Sequence, residues 1–273
     1  MNFKDQHAIV TGGSSGIGKA TAKCLAQQGA HICIIARSNT KLEAAKAEIE
    51  AVRAEPTQNV VAISADVSDK DHLIQAIETA IDQLGPVDIL VTCAGMARPG
   101  YFQSVPLDIF EQTMAINYFG TLYSVKAVLP SMIAQQRGHL ILVSSGAGLI
   151  GLFGYTPYSP TKFAVRGLAE SLRAELKPLN IQVSIVYPPD TDTPQLYEEN
   201  KTKPPETQLI TASAKMLSSD QVAVSIVQGI QQKKWSITPG MEMRLLSRWH
   251  SVMQPILNRY FDDKITKSYR KLK

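Results

Sequence analysis

Three residues in the middle of the chain carry side chains that could deliver a proton to a carbonyl group. Tyr158 and Lys162 stand four apart in Tyr158-Ser159-Pro160-Thr161-Lys162, and Ser145 lies thirteen positions before the tyrosine. Residues four apart on a helix share a face, so the lysine can lie beneath the phenol. A free phenol has a pKa of about 10 and yields its proton poorly at neutral pH. A cation about 4 Å away, at an effective dielectric of about 20, favours the phenolate by roughly 4 kcal/mol, or about three pKa units. That shift would bring Tyr158 into the working range of a general acid or base. Ser145 follows the apolar run His139-Leu140-Ile141-Leu142-Val143, which reads as a strand, so its hydroxyl stands at a strand end. A Tyr and a Lys at this spacing also occur on ordinary helices, and the assignment draws its weight from the rest of the chain.

An anion site is written near the start. The short apolar run His7-Ala8-Ile9-Val10 leads into Thr11-Gly12-Gly13-Ser14-Ser15-Gly16-Ile17-Gly18, and a helix-forming stretch follows. Glycines let the backbone approach a pyrophosphate, and the first amides of the helix face its charge. Strand before and helix after are the context a dinucleotide fingerprint requires. Gly12, Ser14, Ser15, Gly16, Ile17 and Gly18 are therefore candidate cofactor residues. The second strand, His31-Ile32-Cys33-Ile34-Ile35-Ala36, ends in Arg37-Ser38 rather than in an acid. An acid there binds ribose hydroxyls, whereas an arginine accommodates a 2′-phosphate through its fixed fork of donors. Arg37 and Ser38 thus predict NADPH (NADP) rather than NADH.

Taken together these motifs resemble the short-chain dehydrogenase/reductases over essentially the whole chain. The resemblance implies further roles. Asp66-Val67 stand where the family contacts adenine, and Cys93-Ala94-Gly95 where it usually has Asn-Ala-Gly. Asn117 matches the catalytic asparagine, expected to anchor a water that links Lys162 to solvent, and joins Ser145, Tyr158 and Lys162 as the catalytic set. Tyr158 and Lys162 also contact the nicotinamide ribose in the family. Tyr187-Pro188-Pro189-Asp190-Thr191-Asp192-Thr193-Pro194 replaces the family's Pro-Gly and threonine, which makes Pro188, Thr191 and Thr193 candidates beside the nicotinamide. Cys93 lacks the asparagine's bonds that brace the sheet, and Pro189 replaces a glycine. A narrower resemblance, carried by that proline-aspartate-threonine string, by Glu198-Glu199-Asn200-Lys201-Thr202-Lys203-Pro204 and by Gly151-Leu152-Phe153-Gly154-Tyr155, is to the 3-ketodihydrosphingosine reductases. It implies reduction of a C3 ketone on a long-chain sphingoid base. Other hydrophobic carbonyls (a 3-oxoacyl thioester, a steroid, a retinoid) and a catalytically silent nicotinamide-binding regulatory protein are the alternatives.

The elements needed to position these residues are legible. At 273 residues the chain suits a single α/β domain. Apolar runs alternate with helical stretches, the pattern of a parallel sheet covered on both faces. Strands are predicted near 7–11, 31–36, 59–65, 87–92, 139–144, 181–187 and 235–238, and helices over 16–28, 39–54, 69–84, 107–136, 157–178 and 219–233. This is a doubly wound Rossmann fold with a seven-stranded parallel sheet between two helix layers. Thr40-Lys41-Leu42-Glu43 has capping-box spacing. Residues 190–217, rich in Thr, Pro, Lys and Glu, read as too irregular for a core element and as a mobile substrate lid. The expected division is a cofactor-binding and catalytic domain over 1–240 and a basic amphipathic extension over 241–273.

The three cysteines have no metal-ligand spacing and suit a reducing compartment, and the five histidines form no cluster, so no metal is expected. Met1 to Gln6 lead straight into the first strand, without the pattern of a signal peptide. The tail differs from the rest. From Arg244 onward, Arg244, Arg248, Arg259, Lys264, Lys267, Arg270, Lys271 and Lys273 face only Asp262 and Asp263, a local charge of +6 in a chain of +4. Leu245, Leu246, Trp249, Val252, Met253, Ile256, Leu257, Tyr260 and Phe261 recur there at helical spacing, with Pro255 as a candidate kink. Such a stripe packs on its own domain or a sister subunit, or lies in a membrane interface. A homo-oligomer, dimer or tetramer, packed through 107–136 and 157–178 is implied by the resemblance. The expected location is cytoplasmic, with peripheral contact on the cytoplasmic face of a membrane as the tail's second use. The confinement of charge to the tail speaks against nucleic acid.

Overall fold

The strands are short apolar runs because both of their faces are covered. In β1 (His7–Thr11), Ile9 points to one face and Ala8 and Val10 to the other. The same alternation divides Cys33 and Ile35 from Ile32 and Ile34 in β2 (His31–Ala36). Two separate apolar layers result, as the two-residue period of a strand requires. The computed structural model describes residues 3–212 and 215–271. After β1 the chain runs through α1 (Gly16–Ala26), β2, α2 (Asn39–Glu50), β3 (Val60–Ser64), α3 (Lys70–Leu84) and β4 (Ile89–Thr92). It continues as α4 (Leu107–Met114), a π-helical turn (Ala115–Phe119), α5 (Gly120–Ala134), β5 (Gly138–Val143), α6 (Ser159–Leu176) and β6 (Ile181–Val186). The last part holds β7 (Thr191–Asp192), α7 (Pro194–Asn200), α8 (Pro205–Thr211), β8 (Leu217–Ser218), α9 (Ser219–Gln231), β9 (Ser236–Ile237) and α10 (Met241–Lys271).

Seven strands form one sheet in the order β3-β2-β1-β4-β5-β6-β9, and every pair is parallel. The chain winds outward from β1 to β3, then returns to lay β4 on the other side of β1. Strand order therefore reverses between β1 and β4, the place where ligands bind in open α/β sheets. In register, Thr11 pairs with Ile35 on one side and Thr92 on the other. The residues that follow these strands, Gly12, Arg37 and Cys93, consequently emerge at one edge of the sheet.

All seven predicted strands and the doubly wound architecture are present, while several local expectations need correction. The predicted helix 107–136 is interrupted by the π turn, which holds Asn117. The cap of α2 is Ser38, whose hydroxyl accepts from Lys41 N at 3.4 Å, and not Thr40. A complete capping box occurs instead at Ser218 and Gln221 of α9. Residues 190–217 were expected to be irregular, yet they form α7, α8 and the β7–β8 pair. Their threonines and prolines start helices: Thr193 caps α7 by accepting from Leu196 N, and prolines stand in the first turns of both helices. Glu206 and Thr207 are fully buried, so this segment is packed. Residues 213–214 of it lie outside the described residues.

The tail folds as one helix that runs through Pro255. Its apolar residues do not form a single buried stripe. Leu246 packs on the main core, while Leu245, Trp249, Val252, Ile256 and Tyr260 are all exposed. Lys273, counted in its charge, lies outside the described residues. No helix among the described residues is long and apolar enough to cross a membrane.

Candidate active site

A cavity of about 340 Å³ opens along the carboxyl ends of the strands. It runs from Arg37, Ser38 and Lys41 at one end to Ser145, Tyr158 and Lys162 at the other. Gly12, Ser14, Ser15, Gly16, Ile17, Gly18, Asp66, Val67, Cys93, Ala94, Gly95, Pro188, Thr191 and Thr193 all line it. Every predicted cofactor residue thus meets in one space, and of the predicted catalytic residues Asn117 alone lies behind its wall.

The glycine turn has physical reasons for its composition. Gly12 has φ +70°, and a Cβ there would lie 2.6 Å from Ala94 N. A Cβ on Gly18 would lie 2.4 Å from the Gly12 carbonyl oxygen, so α1 can pack on the turn only without a side chain. Ser15 caps α1 with extended backbone, and its side chain makes no capping bond. The first amides of α1 therefore face the cavity without a side-chain acceptor, as an anion site requires. At the far end Arg37 Nη1 stands 3.9 Å from Asp66 Oδ2 and keeps most of its surface exposed. Lys41, a cavity residue the motif reading passed over, belongs to the same basic corner. Its position three residues after the capping Ser38 was the available signal.

At the other end, helix α6 begins with Tyr158 as its cap and places Lys162 one turn on. The shared face is as expected: Lys162 Nζ lies 5.5 Å from the centre of the Tyr158 ring. The ammonium, however, donates to the Val143 carbonyl at 3.0 Å. Both side chains are nearly buried. Burial, and next the negative charge of Glu199, push the Tyr158 phenol above its ordinary value, against a smaller opposite effect of hydrogen bonding with Ser145 and Gln195. The expected lowering of the phenol is therefore corrected: desolvation raises it, and the lysine that was to lower it donates to another group, the Val143 carbonyl. Burial likewise brings the Lys162 pKa down to about 8. Ser145 Oγ accepts from Ala147 N at 3.2 Å, which leaves its proton to donate into the cavity.

Asn117 is 1 % exposed and sits in the π turn, a rare element that often marks functional sites. Its Oδ1 accepts from Met96 N at 2.9 Å, and its Nδ2 donates to Met96 O and Thr161 Oγ1. The side chain ties the loop after β4 to α6 and so braces the ground beneath Lys162. Three further cavity residues had no role in the sequence reading. Tyr155 donates to Glu199 Oε2 at 2.9 Å, and Gln195 Nε2 donates to Glu199 Oε1 at 2.8 Å. Gln195 and Glu199 come from the segment read as irregular, where helical phase could not be assigned, and Tyr155 from the loop before α6.

The model of the family described as short chain dehydrogenase matches residues 6–204. The chain belongs to that family. Within it, a 3-dehydrosphinganine reductase of Danio rerio is 46% identical over 257 residues, 94% of this chain and 77% of that protein. A 3-ketodihydrosphingosine reductase of Bos taurus is also 46% identical, over 92% of this chain and 76% of its own length. Among solved structures, a short-chain dehydrogenase/reductase of Burkholderia phymatum in complex with NAD superimposes with a TM-score of 0.82 at 20% identity, covering 94% of this chain and 96% of that one. That likeness concerns the fold.

Proposed function

We propose that this short-chain dehydrogenase reduces the C3 ketone of 3-ketodihydrosphingosine to dihydrosphingosine with NADPH, as a step of sphingolipid biosynthesis. The observation that carries the reading is the meeting of Ser145, Tyr158 and Lys162 at one end of a cavity whose other end is an anion cradle. The two relatives named above, matched along nearly the whole chain, supply the substrate class.

The cavity suits a nicotinamide dinucleotide. The amides of α1 and the turn from Gly12 to Gly18 would hold its pyrophosphate, and Asp66 and Val67 its adenine. Arg37, Ser38 and Lys41 would hold a 2′-phosphate, and Cys93, Ala94, Gly95, Pro188, Thr191 and Thr193 the nicotinamide end. A bound reduced nicotinamide supplies the hydride. The Ser145 hydroxyl donates to the substrate carbonyl and orients it. Tyr158 gives its proton to the alkoxide, which is far more basic than a phenolate. A phenol held above its ordinary pKa stays protonated at neutral pH, as a proton donor must. Lys162 supplies the positive charge that stabilises the phenolate left behind, and Asn117 keeps that helix face in register.

In this reading residues 1–240 carry the chemistry, with 190–217 closing over the substrate, and 241–273 form an extension. The exposed Leu245, Trp249, Val252, Ile256 and Tyr260 share one side of α10 with nearby Arg248 and Arg259. An anionic lipid surface complements that face, and a lipid-borne substrate gives the contact a purpose. We place the protein peripherally on the cytoplasmic side, where three free cysteines suit a reducing compartment. Phe119, Ile133 and Phe163, exposed on the π turn, α5 and α6, form the faces proposed to join subunits into a dimer or tetramer. The test of the main proposal is oxidation of NADPH, with NADH beside it, by the purified protein. The substrates are 3-ketodihydrosphingosine, a 3-oxoacyl thioester, a steroid ketone and a retinoid. Turnover confined to the last three would overturn it.

A further inference from the structure

One wall of the cavity carries a carboxylate that the chemistry above does not use. Glu199, in the last turn of α7, is 8 % exposed and lines the cavity beside Tyr155, Tyr158, Asp190 and Gln195. Each of its oxygens accepts one bond, Oε2 from the Tyr155 hydroxyl and Oε1 from Gln195 Nε2. Both donors are neutral, and an isolated buried charge is costly unless a partner compensates it. The ion pairs of the described residues do not include Glu199. Lys203, buried nearby, acts on it through space, more weakly than burial, which holds its pKa above the usual carboxylate value. A carboxylate oxygen has room for two donors, so each still has one place for a cation arriving through the cavity.

We propose that Glu199 receives the ammonium group that a 2-amino-3-ketone carries beside its carbonyl, and thereby selects sphingoid bases over plain long-chain ketones. This rests on the substrate reading above. The carbon bearing the amine is bonded directly to the ketone carbon, so a carbonyl oxygen held by Ser145 and Tyr158 brings the ammonium within reach of their neighbours. Gln195 donates to Glu199, lines the same cavity as Tyr158 and acts on its phenol, so one side chain links the surroundings of the reacting oxygen to the carboxylate. The pairing has a second consequence. The Glu199 charge opposes formation of the Tyr158 phenolate, and a bound ammonium cancels that charge as the proton leaves. A ketone without the amine leaves both the buried charge and the opposition in place.

The experiment compares wild type with Glu199→Gln on 3-ketodihydrosphingosine and on the same chain with hydrogen in place of the amine. Charge-assisted hydrogen bonds set the expected scale, about 10- to 100-fold. The ratio of kcat/KM between the two ketones is expected to fall by about that factor in Glu199→Gln and to recover in part in Glu199→Asp. Equilibrium binding of the product amine, followed by quenching of intrinsic tryptophan fluorescence, should weaken likewise, whereas binding of the diol without the amine should not. Retention of the wild-type ratio and product affinity by Glu199→Gln, with a normal melting curve, would overturn the assignment of Glu199 alone. Wild-type failure to turn over 3-ketodihydrosphingosine would remove the substrate reading, and this inference with it.

Discussion

Replacing Lys162 with methionine is expected to stabilise the fold while it destroys the activity. Lys162 is 5 % exposed, and its pKa falls from 10.5 to about 8 through burial. Each pKa unit corresponds to about 1.4 kcal/mol, so keeping this amine charged in the folded protein at neutral pH costs on the order of 3 kcal/mol. Methionine removes that cost but leaves the Val143 carbonyl without the donor it has at 3.0 Å, a loss of about 1–2 kcal/mol. The balance is a gain of about 1–2 kcal/mol, or roughly 2–6 °C in Tm for a chain of this size. The sign has a pH signature. Between pH 8 and pH 10.5 the unfolded amine holds a proton that the folded amine has released, so wild-type stability rises with pH in that window. The advantage of Lys162→Met should accordingly be full below pH 8 and shrink towards pH 10.5. Scanning calorimetry of both proteins at pH 7 and pH 10 reads this directly. A variant less stable than wild type at pH 7, with a gap indifferent to pH, would refute the reasoning, because burial would then not be what depresses the amine.

Tyr158→Phe removes the only proton the phenol can give and is expected to lower kcat by a hundredfold or more, while NADPH still binds; fluorescence titration of the cofactor checks the second half. Arg37→Asp should transfer the preference from NADPH to NADH, since a carboxylate repels a 2′-phosphate and accepts from ribose hydroxyls; an unchanged preference in steady-state assays with both cofactors would defeat the role. On α10, the double substitution Trp249→Asp and Val252→Asp should abolish flotation with vesicles containing phosphatidylglycerol and leave turnover of a detergent-dispersed substrate intact. Equal flotation of variant and wild type would sink the lipid contact.

Much of this site is local and therefore visible in a one-dimensional string. The turn from Gly12 to Gly18 must be glycine-rich because backbone passes backbone there, and the four-residue step from Tyr158 to Lys162 is a property of any helix. The end of a strand is likewise marked by the change from an apolar run to polar residues, which brought Arg37 and Ser145 into view, while Asp66 and Cys93 were found through the family resemblance. Helical phase was lost where capping residues imitate loops: Thr193-Pro194 and Pro204-Pro205 start helices, so the segment holding Gln195 and Glu199 looked irregular. On α10, periodicity located the apolar residues but could not say that Leu246 would find the core while Trp249 would not.

What the order of residues determined by itself is the set of groups at the strand ends and the helical step between phenol and amine, since both follow from local geometry. Tertiary structure alone decided the electrostatics. How much water each group loses, and that Glu199 arrives beside Tyr158 from a helix forty-one residues further on, depends on contacts between distant segments. Those contacts reversed the sign of the phenol's shift and placed Glu199 in the wall of the cavity.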